Sequence, residues 1–289
     1  MRIGTRGSAL ALVQARFVAE LLDPEAEIVT VTTSGDRGAT ADKSRWIAEL
    51  EQALLDGRID LAVHSAKDVP TEMTEGLELV AVPERADPRD AICGAPSLAA
   101  LAPGARIGTS SLRRAAQVHS IRPDVEVLTL RGNVDTRLRK LAEGQVDAIV
   151  LAFAGLERLG RRAQAGGILS ELVPAAGQGA LALQARPGKL DAQALARVTD
   201  EDAFACVAAE RVLVNALGAS CNTPVGAYAR SLGGARLELV GWVGLPDGSA
   251  WLADTVQGEP TEVGTLCAER MLAAGAAELL REAERESVA

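Results

Sequence analysis

Two apolar rhythms take turns along the first two-thirds of the chain. Arg2-Ile3-Gly4-Thr5 reads as a strand, residues 9–22 as an amphipathic helix stopped by Asp23-Pro24, and residues 28–33 as a second strand. Residues 49–55 return to the helical period, and residues 61–64 read as a short buried strand. The same succession restarts at Arg106. Alternation of strand and helix predicts an α/β fold in which doubly wound, mostly parallel sheets carry helices on both faces. From about Asp200 the rhythm changes. A helix over residues 202–217 precedes strands at 237–243 and 251–256, joined by the turn Pro246-Asp247-Gly248. A closing Ala/Glu-rich helix is expected over residues 262–284. This last part predicts a smaller α+β domain.

The restart at Arg106 is a repeat. Arg2-Ile3-Gly4-Thr5 returns as Arg106-Ile107-Gly108-Thr109, each copy followed by a Gly/Ser stretch and a helical pattern. An apolar run ends in a polar Gly turn at residues 28–36 and again at 125–133. Gly57-Arg58-Ile59-Asp60 is matched by Gly144-Gln145-Val146-Asp147, and both lead into apolar runs. Three landmarks in the same order predict two duplicated lobes with a ligand cleft between them. Ala86-Asp87-Pro88-Arg89-Asp90 reads as the crossing from one lobe to the other, and residues 174–179 as the return. The expected domains are residues 1–86 with 178–199, residues 87–177, and residues 200–289. Two crossings imply a hinge. Residues 36–46 have no counterpart in the second copy, and they read either as a solvated loop or as a lid over the cleft.

Composition narrows the chemistry. The 289 residues carry a net charge of −9, so bulk attraction to nucleic acid or to an anionic membrane is not expected. Aromatic residues are scarce, which leaves the core to aliphatic packing and removes stacking platforms for single-stranded nucleic acid. No apolar run approaches a membrane span, and the N-terminal residues lack the hydrophobic stretch of a signal peptide; a cytoplasmic protein is the expectation. Cys93, Cys206, Cys221 and Cys267 are too widely spaced for a zinc site or a disulfide framework, and no metal is expected. No P-loop or dinucleotide loop is present.

Ligands of open α/β sheets bind beyond the carboxyl ends of the strands. The residues there are Arg6 and Ser8; Ser65, Lys67 and Asp68; Thr109, Ser111, Arg113 and Arg114; and Arg131 with Arg137 a turn onward. Cations thus gather at strand ends in a chain that is acidic overall, and helix N-termini there favour anions too. The expected ligand is multiply anionic. Asp68 reads either as an ionised carboxylate beside these cations, able to steady a developing cation and move a proton, or as the N-cap of a helix opened by Val69-Pro70. His64 reads as a packed histidine or a catalytic one. Cys221, in a Gly/Pro-bounded loop, reads as incidental or as a reactive thiol; the other three cysteines sit in apolar surroundings.

Longer motifs carry a resemblance. Thr5-Arg6-x-Ser8, His64-Ser65-x-Lys67-Asp68-Val69-Pro70, Asp87-Pro88-Arg89-Asp90, Gly108-Thr109-Ser110-Ser111-Leu112-Arg113-Arg114, Leu130-Arg131-Gly132-Asn133-Val134, Ala154-Gly155-Leu156-x-Arg158-Leu159-Gly160, Gly177-Gln178-Gly179-Ala180 and the Cys221 loop together resemble the porphobilinogen deaminase (hydroxymethylbilane synthase) family over nearly the whole chain. The resemblance implies two periplasmic-binding-protein-like lobes with an α+β third domain. It implies a reaction that joins four porphobilinogen units head to tail, with loss of ammonia, in tetrapyrrole (haem) biosynthesis. It also implies a dipyrromethane cofactor bound by thioether to Cys221, with Asp68 as the catalytic carboxylate. Arg6, Lys67, Arg113, Arg114, Arg131, Arg137 and Arg158 match the family's carboxylate-binding cations, and Ser8, Ser65, Thr109 and Ser111 its polar contacts. The chain departs from the family at residues 36–46, where Ser44, Trp46 and, just beyond, Ala48 replace a common Gly, Phe and Lys, and at Asn222, where Gln is frequent. A monomer is expected. The rival reading is a non-catalytic two-lobed protein that clamps a polycarboxylate.

Overall fold

The computed structural model describes residues 1–31, 44–219 and 223–288. The first lobe begins with β1 (Arg2–Thr5), α1 (Ala9–Leu22), β2 (Glu27–Thr30), α2 (Ser44–Leu55), β3 (Leu61–Ser65) and β4 (Glu78–Ala81). The chain then crosses into β5 (Asp90–Cys93), β6 (Arg106–Thr109), α3 (Leu112–Ile121), β7 (Glu126–Thr129), α4 (Val134–Ala142), β8 (Ala148–Ala152), α5 (Phe153–Arg158) and β9 (Gly167–Leu169). It returns with β10 (Leu181–Ala185) and α6 (Ala192–Val198).

The two five-stranded sheets have one topology: β2-β1-β3-β10-β4 and β7-β6-β8-β5-β9. In each, four of the five strands run the same way, with Ile3 opposite Ile28 and Ile107 opposite Val127 in parallel pairs. The sheets are therefore mostly parallel, as expected, with one reversed strand in each. β10 runs antiparallel to β3 and β4, and β5 antiparallel to β8 and β9. The reason is topological: β5 and β10 are each delivered by a crossing from the other lobe.

The repeat is physical as well as textual. Arg2 donates from Nη2 to Asp60 Oδ1 at 2.9 Å and to the Gly57 carbonyl at 2.8 Å, while its backbone N–H donates to Asp60 Oδ2 at 2.9 Å. Arg106 does the same to Asp147 and Gly144, at 2.8, 3.1 and 2.8 Å. The landmark at the start of each lobe is therefore clamped to the Gly-x-aliphatic-Asp landmark that opens its third parallel strand. Gly57 and Gly144 sit at φ +68° and +72°, where a Cβ is disfavoured.

Each lobe is built on an aliphatic core. Ile3, Val18, Leu61, Val63, Leu181 and Leu183 pack in the first, and Ile92, Ile107, Val118, Val150 and Leu169 in the second. On α1 the buried residues Ala15, Val18 and Ala19 follow the three-and-four spacing of one helix face.

The third domain comprises α7 (Glu201–Ala216), an antiparallel sheet β11 (Val225–Gly233), β12 (Arg236–Gly244) and β13 (Trp251–Gly258), then α8 (Val263–Ala273) and α9 (Ala276–Val288). Two features differ from the pattern-based reading. β11 is an additional strand, and the closing helix is broken at Gly275, which takes φ +102°. Leu213, Leu239, Val256, Cys267 and Met271 meet in its core.

This domain is seated on both crossings through Glu210 of α7. Its wholly buried carboxylate accepts from Arg85 at 2.6 Å, from the Gly177 N–H at 2.6 Å and from the Ala229 N–H at 2.7 Å. Burial alone would lower the Arg85 guanidinium pKa, but Glu210 outweighs it and holds it above its ordinary value. No described helix is long and apolar enough to cross a membrane.

Candidate active site

The proposed site residues stand at the carboxyl ends of the parallel strands, as the topology of open sheets requires. Ser8 and Ser111 cap their helices: Ser8 Oγ accepts from the Ala11 N–H at 3.3 Å and Ser111 Oγ from the Arg114 N–H at 3.4 Å. Asn133 caps α4 in the same way. Thr109 Oγ1 accepts from the Ser111 N–H, which fixes the turn that opens α3. Ser65 is held by Gln14 of α1, whose Nε2 donates to its Oγ at 3.0 Å. The lobes approach one another at α1 and α5: a Cβ on Gly155 would lie 3.8 Å from Leu10 Cδ2.

Asp68 and Lys67 lie just past β3, in a 3-10 turn over Ala66–Asp68. Both are partly buried. The chain continues in extended form from Val69, and residues 69–77 contain no helix. The reading of Asp68 as a helix N-cap is thereby overturned, because Val69-Pro70 opens no helix to be capped. Gly177 of the return crossing presses on this turn. A Cβ there would stand 2.8 Å from the Ala66 carbonyl carbon and 2.8 Å from the Lys67 nitrogen, and its φ is +73°. His64 is buried, with Nε2 2.9 Å from Gln184 Oε1. Burial pushes its pKa down, so it is a neutral packed histidine, bonded to a side chain rather than to backbone.

The cations fall into distinct groups. Arg113 and Arg114 point inward onto Asp90, which is wholly buried. Arg113 Nη2 donates to Asp90 Oδ2 at 2.7 Å, and Arg114 Nη2 and Nε to Oδ1 at 2.7 and 3.0 Å. Arg113 Nη1 and Arg114 Nη1 reach the carbonyls of Val173 and Val150. Gln178 completes the group, donating to Asp90 at 2.8 Å. Burial would raise the Asp90 pKa, but the two guanidinium groups together hold it well below the usual carboxylate range.

Arg137 and Arg158 are different. Arg137 donates to the Gly132 carbonyl at 2.8 Å and to Ser110 Oγ at 2.9 Å; burial and the charge of Arg114 push its pKa down to about 10. Arg158 donates to the Gly179 carbonyl at 2.7 Å, and burial pushes it down to about 10 against a partial offset from Glu157. Both remain charged at neutral pH while bonding neutral acceptors. Around one buried carboxylate there is thus a surplus of half-desolvated positive charge, an environment that favours an anionic ligand. Arg6 is partly buried beyond β1, and Arg131 is exposed beyond β7.

Cys221 and most of the segment 36–46 lie outside the described residues. Cys93, Cys206 and Cys267 are buried free thiols, each pushed up to about 11 by burial, which makes them poor nucleophiles. Among the described residues, no group of three or more His, Cys, Asp or Glu could hold a metal ion.

Asp90, Glu210 and Gln178 escaped the reading of the sequence as site-supporting residues. A signal existed for Glu210. It follows Ala203, Cys206 and Val207 at helical spacing, which places an acid on the buried stripe of α7. Asp90 opens the buried run of β5, another charge where none is expected without a partner.

Residues 1–194 match the model of "Porphobilinogen deaminase, dipyromethane cofactor binding domain", and residues 204–273 that of "Porphobilinogen deaminase, C-terminal domain". The chain belongs to the porphobilinogen deaminase family. The porphobilinogen deaminase of Deinococcus deserti is 44% identical over 98% of this chain and 98% of its own length. That of Thermus thermophilus is 46% identical over 96% and 97%, and that of Roseiflexus castenholzii 45% over 97% and 98%. Among solved structures, an ABC transporter periplasmic substrate-binding protein from Coxiella burnetii aligns with 73% of this chain and 96% of its own, at 14% identity and a TM-score of 0.43. The matched cofactor-binding part of the chain, residues 1–194, contains Asp68 and all the strand-end cations, and the matched C-terminal part, residues 204–273, spans the position of Cys221. A dipyrromethane bears several carboxylates, so it suits the positive surplus at Arg137 and Arg158.

Proposed function

We propose that the chain joins four porphobilinogen molecules into linear hydroxymethylbilane, and that Asp68 and the strand-end cations carry the reaction. Each join forms a carbon–carbon bond between an aminomethyl carbon and a free pyrrole carbon, breaks the carbon–nitrogen bond and releases ammonia. When bound, dipyrromethane supplies the pyrrole primer on which the chain is built, through a thioether to Cys221. Each pyrrole brings two carboxylates, so the anionic load grows with every cycle. Arg137 and Arg158 hold half-buried charge against uncharged acceptors and can bind those carboxylates, with Arg6, Lys67 and Arg131 at neighbouring strand ends. Arg113 and Arg114, fixed by Asp90, extend the positive field. Ser8, Thr109 and Ser111 shape the turns that open helices toward the anion, and Ser65 is held beside them by Gln14.

Asp68 is the carboxylate suited to steady the cation left when ammonia departs and to take up the pyrrole proton. One carboxylate serves every cycle if the chain moves past it, and the two crossings supply a hinge for such movement. The observation that carries this reading is the pairing of a positive surplus with a turn whose Asp68 caps no helix. The chain is proposed to act as a monomer in the cytoplasm, and the net charge of −9 argues against a nucleic-acid or anionic-membrane partner. The test is incubation with porphobilinogen, following ammonia release and product formation, with an intact mass spectrum of the protein. A chain that binds porphobilinogen without releasing ammonia, and whose mass equals its sequence, would instead be the non-catalytic polycarboxylate clamp.

A further inference from the structure

Arg211 lies on α7, one residue beyond Glu210, and is directed away from the third domain's own core. Its Nη1 donates to the Val69 carbonyl at 3.0 Å, and its Nη2 to the Pro70 and Thr71 carbonyls at 2.6 and 3.1 Å. The same nitrogen lies 3.5 Å from Met73 Sδ. These acceptors are the three residues directly after Asp68. Burial pushes the Arg211 pKa down, and among the described residues its hydrogen-bond acceptors are three backbone carbonyls and the Met73 sulfur. A cation desolvated against three backbone carbonyls is a costly way to tether a surface loop. It is well suited to fixing a loop, because a planar guanidinium sets direction as well as distance.

The other side of the turn is held from the same helix. Glu210 binds the Gly177 N–H, and Gly177 packs on the backbone of Ala66 and Lys67. Two consecutive residues of α7 therefore grip the chain before and after Asp68: Glu210 through Gly177, and Arg211 directly. The helix belongs to the third domain, whereas Asp68 belongs to the first lobe.

The geometry points to Arg211 as a positioning residue for the reaction: it holds the segment 69–71 so that the Asp68 carboxylate keeps its aim. Arg211 touches no reacting atom in this role and acts only through Asp68. The inference rests on the proposed function, in which Asp68 is the catalytic carboxylate.

The experiment is a double-mutant cycle on the cofactor-loaded enzyme, with Arg211→Leu, Asp68→Asn and the pair. Arg211→Leu is expected to lower kcat about 10- to 100-fold, the scale of a misplacement near 1 Å. KM for porphobilinogen should stay within about twofold, and the protein mass should still include the cofactor. In the Asp68→Asn background the same substitution should cost less than about twofold, because no aimed carboxylate remains to be disturbed. Arg211→Lys, which keeps a charge that reaches some of the carbonyls, should recover part of kcat. Equal fold-losses of kcat in both backgrounds, or an unchanged kcat in Arg211→Leu, would overturn the positioning role while leaving Asp68 intact. Should Arg211→Leu not fold, Arg211→Gln takes its place in the cycle and is read by the same two outcomes. If Asp68→Asn alone turns over like the parent, it is the catalytic reading of Asp68 that fails, and the role of Arg211 with it.

Discussion

Arg114 and Asp90 meet through two hydrogen bonds, 2.7 and 3.0 Å long, in the interior of the second lobe. Arg113 takes the other carboxylate oxygen. Asp90→Asn would leave two buried guanidinium groups sharing one neutral amide. Removing one partner of a buried pair costs about 3–5 kcal/mol. Because Asp90 has a folded pKa below its ordinary 3.8, its contribution is complete above that value and is lost as pH falls below it toward the folded one. Asp90→Asn should therefore be destabilised at neutral pH and show a shallower acid limb in denaturation followed from pH 7 to pH 2. An acid limb identical in slope to the parent's would mean that other carboxylates govern it.

Cys221→Ser should lack the cofactor, since a hydroxyl is a far weaker nucleophile than a thiolate. Cys93, Cys206 and Cys267, whose thiols burial holds near 11, should each be replaceable by Ala without loss of attachment. Intact mass spectrometry of the four variants decides. Added mass on Cys221→Ser would remove the thioether assignment.

Asp68→Asn keeps shape and loses charge. Its turnover should fall by ~10²–10⁴-fold, the range for a positioned acid/base group, with further loss where a cation goes unsteadied. Asp68→Glu should be milder. Both should melt within a few degrees of the parent, because the turn Ala66–Asp68 leads into extended chain and no helix follows Asp68 to lose its cap. Steady-state turnover and thermal melts measured side by side check this.

Arg137→Leu and Arg158→Leu should weaken cofactor assembly or porphobilinogen binding by about 2–5 kcal/mol, as for truncation of a buried charge partner. Arg162 makes a useful control. Its side chain is 76% exposed and pairs with Glu157 at 3.2 Å, so Arg162→Leu should change binding little. Titration calorimetry with a dicarboxylic pyrrole, combined with cofactor occupancy by mass, gives the comparison. Losses of similar size at all three positions would argue against a built anion site.

Much of this arrangement was legible in the sequence. The helix of residues 9–22 emerged with its bounds intact, because Ser8 caps it and Asp23-Pro24 stops it. The duplicated lobes were legible because Arg2 and Asp60 repeat as Arg106 and Asp147. The antiparallel strands were not. β5 and β10 are short, buried runs whose direction depends on which lobe the chain has just left, and no local pattern records that. β11 was missed because Gly226, Ala227 and Ala229 are weak strand formers that β12 and the third-domain helices nonetheless pack into a sheet. The strand-end cations were found as a class. Their division was hidden, since only the fold brings Asp90 between Arg113 and Arg114 and leaves Arg137 and Arg158 on carbonyls.

The position of β10 between β3 and β4 has a consequence for synthesis. A chain emerging from the ribosome presents all five strands of the second sheet, β5 to β9, by residue 169. The first sheet must wait for residues 181–185, because β4 joins it only through β10. The later half of the duplication is thus the first able to close its sheet, the reverse of the usual N-terminal-first order. Limited proteolysis of chains truncated after residue 175 should reveal a protected fragment from the second lobe before any from the first. The earlier-made β4 spends that interval without its sheet partner, exposed to whatever else can pair with it.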